Sequence, residues 1–192
     1  MSRNDEVAAA ISARLTRDDV TVVRAPAECA FDEAQAREWL VSLGPLAGVV
    51  FAMSPDPGGT LGSQDPDLWE QVFIENVRIP WVVGNLASQL VVPGGAVTIV
   101  ADVAGTTGAG GSPAFAAAAA ALSYSTDDLA NLLRPDAIRV NSVLGEFITS
   151  PTAEPGLGAS ASASDLAEMV VVLSRGLEAV SGSRVVLATA HP

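Results

Sequence analysis

The sequence contains no lysine; every cation among its 192 residues is one of ten arginines. That absence excludes a Schiff-base nucleophile, a lysine general acid and a Walker-type phosphate loop, each of which needs an ammonium group. Histidine, cysteine and tyrosine occur once each, as His191, Cys29 and Tyr124. A single cysteine cannot form an internal disulfide or a paired-cysteine metal or redox site, so no metal centre is expected. With no histidine to pair convincingly with it, Cys29 reads as a small buried or loop residue and not a nucleophile. His191, next to last in the chain, reads as part of a solvated tail.

Basic clusters are missing too. The net charge is −12 and the arginines, scattered from Arg3 to Arg184, form no stripe. Nucleic acid is therefore not an expected partner, because neutralising phosphates takes clustered cations. No apolar run approaches the roughly 20 residues of a membrane span. The start, MSRNDEVAAAISARL, carries acids where a signal peptide has its positive region. The expected setting is soluble and cytoplasmic, with no membrane contact.

What is present is an apolar chain. Hydrophobic residues make up 49% and charged residues 17%, which suits one globular domain over residues 1–192 with a sizeable core. Helical spacing is read over Asn4–Leu15, Phe31–Leu43 (capped by Asp32), Asp67–Leu90, Phe115–Leu133 and Asp165–Ala179. Pro80 is expected to bend or restart the third of these. Short apolar or β-branched runs, read as strands, are Val20–Arg24, Gly48–Met53, Ala96–Ala101, Ile138–Val143 and Arg184–Leu187. Strands alternate with helices and are apolar on both faces, the pattern of a parallel sheet covered on both sides. The expected fold is α/β: an open, doubly wound, Rossmann-like sheet of about five or six strands with right-handed crossovers.

Four segments carry a more specific likeness. DLWEQVFIEN places Asn76 downstream of Trp69; GGAVTIVADVAG is a strand running into a glycine-rich turn; LRPDAIRVNSVLGEFIT spans 133–149; VSGSRVVL spans 180–187. In this order and spacing they resemble the short-chain dehydrogenase/reductase family over about three quarters of the chain. The resemblance implies a helix bearing a structural and catalytic asparagine at Asn76, and a strand ending where the family has its catalytic serine. It also implies a later helix bearing the family's Tyr-x-x-x-Lys pair.

The departures are as informative. Members of the family open with a strand and a turn, TG-x-x-x-G-x-G, that seats a dinucleotide pyrophosphate on a helix N-terminus. This chain is expected to start at or after that helix, lacking both the strand and the glycine-rich loop. The family's NNAG stretch is FAMS at 51–54, and the proline of its PG turn is Leu144. Residues 156–161 fit G-x-G-x-x-A as a string but follow a polar loop instead of a strand, so they read as a substrate loop. GTTGAGG at 105–111 reads as a strand-to-helix connection.

Aligned through the flanking motifs, the tyrosine falls on Phe115, the lysine on Ala119 and the serine on Asp102. Phenylalanine has no ionisable proton, and Tyr124 is roughly two and a half turns further along the helix. Hydride transfer by the family's mechanism, and a dinucleotide cofactor, are therefore not expected. Asp102, Asn76 and Glu146 remain as candidate catalytic residues at the carboxyl edge of the sheet, where open α/β folds bind ligands. Asp102 has two readings: a general acid or base, or a cap for the following turn. Thr149 matches the threonine that in the family contacts the nicotinamide amide, and here reads as a loop hydrogen-bonding residue.

Two functions follow as expectations. The first is a non-redox pseudoenzyme working as an assembly subunit, through helices 67–90 and 115–133, which the family uses in a four-helix dimer contact. Its partner is either itself, as a homodimer, or an active member of the family, as a heteromer. The alternative is a cofactor-independent isomerase, cyclase, lyase or hydrolase that holds a small organic ligand in the vacated cleft and uses Asp102.

Overall fold

A computed structural model describes residues 3–26, 29, 32–53, 58, 60, 62–63, 65–103, 112–145 and 161–187. In chain order the elements are α1 (Arg3–Thr16), α2 (Glu33–Ser42), β1 (Leu46–Ala52), α3 (Pro66–Phe73), a π-turn (Ile74–Arg78), α4 (Ile79–Leu90), β2 (Val91–Asp102), α5 (Pro113–Leu133), β3 (Arg139–Gly145), α6 (Ala163–Val171) and β4 (Ser183–Leu187). The four strands form one sheet in the order β1-β2-β3-β4, with every neighbouring pair parallel. Helices α2, α4 and α5 pack together on one face, and α1 packs with α6 on the other. β3 is buried along its whole length and β2 from Gly95 onward, as strands covered on both faces must be. No helix among the described residues is long and apolar enough to cross a membrane.

The winding differs from expectation in one place. The first two crossovers lay α4 and α5 on the same face, whereas the third carries α6 to the opposite face. The chain steps across the sheet in the same direction each time, so the third crossover has the opposite hand to the first two. Uniformly right-handed winding does not hold there. Helix α5 already covers β3 and β4 on the first face, and α1 supplies the apolar surface on which α6 docks.

Val20–Arg24 is a second correction. It is not a strand, and the described sheet has four strands instead of five or six. Val20 and Val22 pack against the core while Val23 is 56% exposed. The alternation is strand-like, but β-branched composition makes a strand only where an edge takes up its backbone groups.

Pro80 acts as expected: the α-helix gives way to a wider turn and restarts at Ile79 with Pro80 in its first turn. Lacking an N–H and crowding the carbonyl of residue 76, it is accommodated by a wider turn over Ile74–Arg78. The Ile79 amide donates to the Ile74 carbonyl, five residues back. Helix ends follow local chemistry elsewhere. Asp32 caps α2, its carboxyl held below the usual range by the Gln35 backbone and side chain and by the Ala34 amide. Ser112 caps α5 ahead of Pro113, and Ser162 and Asp165 form a reciprocal capping box on α6. Helix α6 ends earlier than expected, passing through a π-turn at Val172–Gly176.

The resemblance segments around residues 139 and 181 interlock. The buried Arg139 guanidinium donates to the carbonyls of Leu173, Ser174 and Leu177, closing the end of the helix that precedes β4. Asn141 donates to the Val180 carbonyl and accepts from the Ser183 amide, while the Val140 amide donates to the Ser181 hydroxyl. Their appearance together in the sequence has this physical cause.

Candidate functional site

The carboxyl ends of β1, β2 and β3 lie side by side, with Ala52 opposite Val100 and Asp102 opposite Gly145. The Met53 amide donates to the Val100 carbonyl at 3.0 Å, extending the ladder by one residue. Asp102 therefore ends a central strand at the edge where open α/β sheets bind ligands. Asp102 is buried, 1% exposed, and is not without an interaction partner.

Asn76 is also fully buried, inside the π-turn, where widened turns often mark functional positions. Its Nδ2 donates to the Val72 carbonyl at 3.1 Å. The neighbouring Val72 packs against Ala114 and Ala118 of α5, and β2 packs against the same helix. The elements carrying Asn76 and Asp102 thus converge on α5. Glu146, Thr149, His191 and the glycine-bearing stretches at 105–111 and 156–160 lie outside the described residues. Cys29 is buried.

Helix α5 turns Phe115 and Ala119 inward. Phe115 is 1% exposed and Ala119 0%, and both belong to the main core with Met53, Ile99 and Ala101. The Phe115 amide donates to the Ser112 hydroxyl. Tyr124 faces the other way, 68% exposed, with the Arg184 guanidinium 5.0 Å over its ring.

A second surface was less visible in the sequence. Between α4 and α5 runs a groove of about 230 Å³, lined by Val77, Trp81, Leu122, Leu129 and Leu132 and, among polar groups, Asp128. Trp81 is 59% exposed and Leu132 55%. The upstream turn adds Trp69, stacked on Phe73 with ring centroids 5.7 Å apart. Residues 69, 73, 77, 81 and 85 recur every four positions, which puts them on one face of the α3–α4 segment, the segment the resemblance had already assigned to assembly. Beside the groove, the buried Gly84 lets α4 approach α5: a Cβ there would lie 2.6 Å from Leu129 Cδ2.

Comparison with known proteins fits this architecture. The family model described as enoyl-(acyl carrier protein) reductase matches residues 2–189. BdcA, solved in complex with NADPH, superposes with a TM-score of 0.81 at 20% identity, covering 96% of this chain and 91% of its own. A blue fluorescent protein from a metagenomic library, also solved with NADPH, gives 0.79 at 22% identity, with 95% and 92% covered. A short-chain dehydrogenase/reductase from Serratia marcescens BCRC 10948 gives 0.78 at 20%, with 94% and 90% covered. No curated protein matches the sequence significantly. The match along nearly the whole chain, on a parallel sheet with helices on both faces, shows that this protein belongs to the short-chain dehydrogenase/reductase family.

Proposed function

We propose that this chain is a non-redox member of its family that works as an assembly subunit, as a homodimer or with an active relative, through α3–α4 and α5. One observation carries the reading: the positions aligned with the family's tyrosine and lysine, Phe115 and Ala119, are apolar and part of the core. These residues do not fit a dinucleotide. Phe115 has no hydroxyl for a proton relay, Ala119 has no ammonium for a ribose, and the sequence has no lysine to substitute. No step of a hydride transfer is derived for them. The retained apolar stripes on α3–α4 and α5, with their exposed indoles, support the assembly part. Calorimetric titration with NADH and NADPH is expected to show no binding at sub-millimolar concentration; a saturable heat there would overturn the reading.

The burial of Asp102 at the carboxyl edge supports a second reading, in which it acts as general acid or base on an organic substrate. If a substrate screen finds turnover, Asp102→Asn should lower it by about 100-fold or more while the circular dichroism stays unchanged. An unchanged rate excludes this reading.

A further inference from the structure

We infer that residues 20–26 form a strap over the open edge of β1, which keeps that edge from adding a strand of a second copy. This goes beyond the assembly reading and does not depend on it, since α3–α4 and α5 take no part. Strand β1 pairs only with β2, so its other side is an edge of the sheet. The Met53 amide donates to the Val100 carbonyl, and backbone groups alternate sides along a strand. Phe51 and Val49 therefore also point to β2, whereas Gly48, Val50 and Ala52 turn their amides and carbonyls outward.

Those outward groups have no hydrogen-bond partner among the described residues. The strand, LAGVVFA, has neither the charge nor the proline that blunts an exposed edge. It is also self-complementary. A two-fold axis at Val50 would set Val50 opposite Val50, Gly48 opposite Ala52, and Val49 opposite Phe51, a β-branched residue on an aromatic one. A second copy is therefore the strand this edge would take up if it were uncovered.

The path of the chain supplies the cover. The strap starts where Arg175, in the π-turn that ends α6, donates to the Asp18 carbonyl. That turn leads into β4, so the start lies at the amino end of the strands. Asp19 then turns with φ 59°, and the Val20 amide donates to the Leu15 carbonyl. Val20 and Val22 pack on the main core. By Cys29 the chain has entered the second apolar cluster, with Ala36 and Leu40 of α2 and Val82 of α4. Val49 and Phe51 of β1 border both clusters, so the passage from one to the other runs past β1. Gly48 is exposed, but Val50 and Ala52 are half-buried despite lying at an edge. Thr21, Val23 and Arg24 are exposed, which puts a charge on the outer side of the strap.

The test compares the wild type, Val20→Ser with Val22→Ser, Val50→Pro and all three changes together, by sedimentation velocity and infrared spectroscopy. The serine pair removes the strap's apolar anchors. Val50→Pro removes one outward donor and leaves every β1–β2 bond in place, so it should fold. The serine pair should self-associate about tenfold tighter than wild type or more, with the infrared signature of intermolecular antiparallel strands. Adding Val50→Pro should return it to the wild-type level. If the serine pair unfolds, a Gly-Ser-Gly-Ser insertion between the exposed Arg24 and Ala25 slackens the strap without touching the core and is read the same way. A folded, slackened protein that associates no more than wild type overturns the inference, as does association that Val50→Pro leaves unchanged. Pairing through the α4/α5 face is common to all these proteins and insensitive to Val50→Pro, so its failure is read separately.

Discussion

Putting a lysine back at position 119 should unfold the protein and not restore a dehydrogenase. Ala119 is 0% exposed and packed in the main core beside Phe115 and Leu122. An ammonium in such surroundings loses its hydration, and burial of this kind lowers a lysine pKa by about 3–5 units. At about 1.4 kcal/mol per unit, that alone costs on the order of 4 kcal/mol at neutral pH. Three added side-chain carbons and a nitrogen also overpack a close-packed site, for about 1–3 kcal/mol more. Sums of that size rival the whole stability of an ordinary domain. Ala119→Lys is therefore expected in the insoluble fraction, or with its urea midpoint collapsed. The control is Ala117→Lys on the exposed side of the same helix, expected within about 0.5 kcal/mol of wild type. A folded Ala119→Lys that gains NADPH affinity when combined with Phe115→Tyr would show that the site is an open cofactor cleft. Pseudoenzyme status would then be wrong.

That prediction depends on a distinction the sequence made only halfway. The replacement of an ionisable pair by Phe115 and Ala119 was readable from flanking motifs, and the cap at Ser112–Pro113 fixed where α5 begins. Whether Phe115 meets solvent or core depends on what lies across from it, which no local pattern encodes. The same limit explains Val20–Arg24. Its β-branched residues predict a strand, and burial alternates from Val20 to Val23, but joining a sheet needs a partner strand that the local pattern cannot supply. Pro80 gave a visible warning at the right place. The response, a π-turn around Asn76 instead of a break, is set by packing of both flanking helices on α5. Asp102 was recognisable because it ends an apolar run.

Gly95→Ala is expected to be the most damaging of the glycine-to-alanine changes among the described residues. From Leu46 to Gly48 strand β1 advances two residues while β2 advances from Val91 to Ala96, so Val92–Gly95 bulge out of the ladder. The bulge is pinned by the Gly94 amide, which donates to the Ala137 carbonyl at 2.9 Å. A Cβ on Gly95 would lie 2.6 Å from the Ala47 carbonyl oxygen, 2.9 Å from that of Val92 and 2.4 Å from Val91 Cγ1. Two of those three atoms are backbone and cannot rotate away, so the strands must part. Relief by sliding the register would turn the core-facing residues of β1 outward and displace Met53 from Val100, and with it the ligand-binding edge that ends in Asp102. The expected loss is about 3–4 kcal/mol, at the upper end of single-substitution effects. Two neighbours calibrate it. Gly94→Ala meets no atom within 4 Å and should cost only the strain of its φ of +86°, about 1–2 kcal/mol. Gly84→Ala meets the Leu129 side chain, whose Cδ2 can turn aside, and should fall between the two. Equilibrium urea denaturation of the three variants checks the order. A Gly95→Ala protein within about 1 kcal/mol of wild type would mean that the bulge yields, and that the β1–β2 register does not hold the carboxyl edge in place.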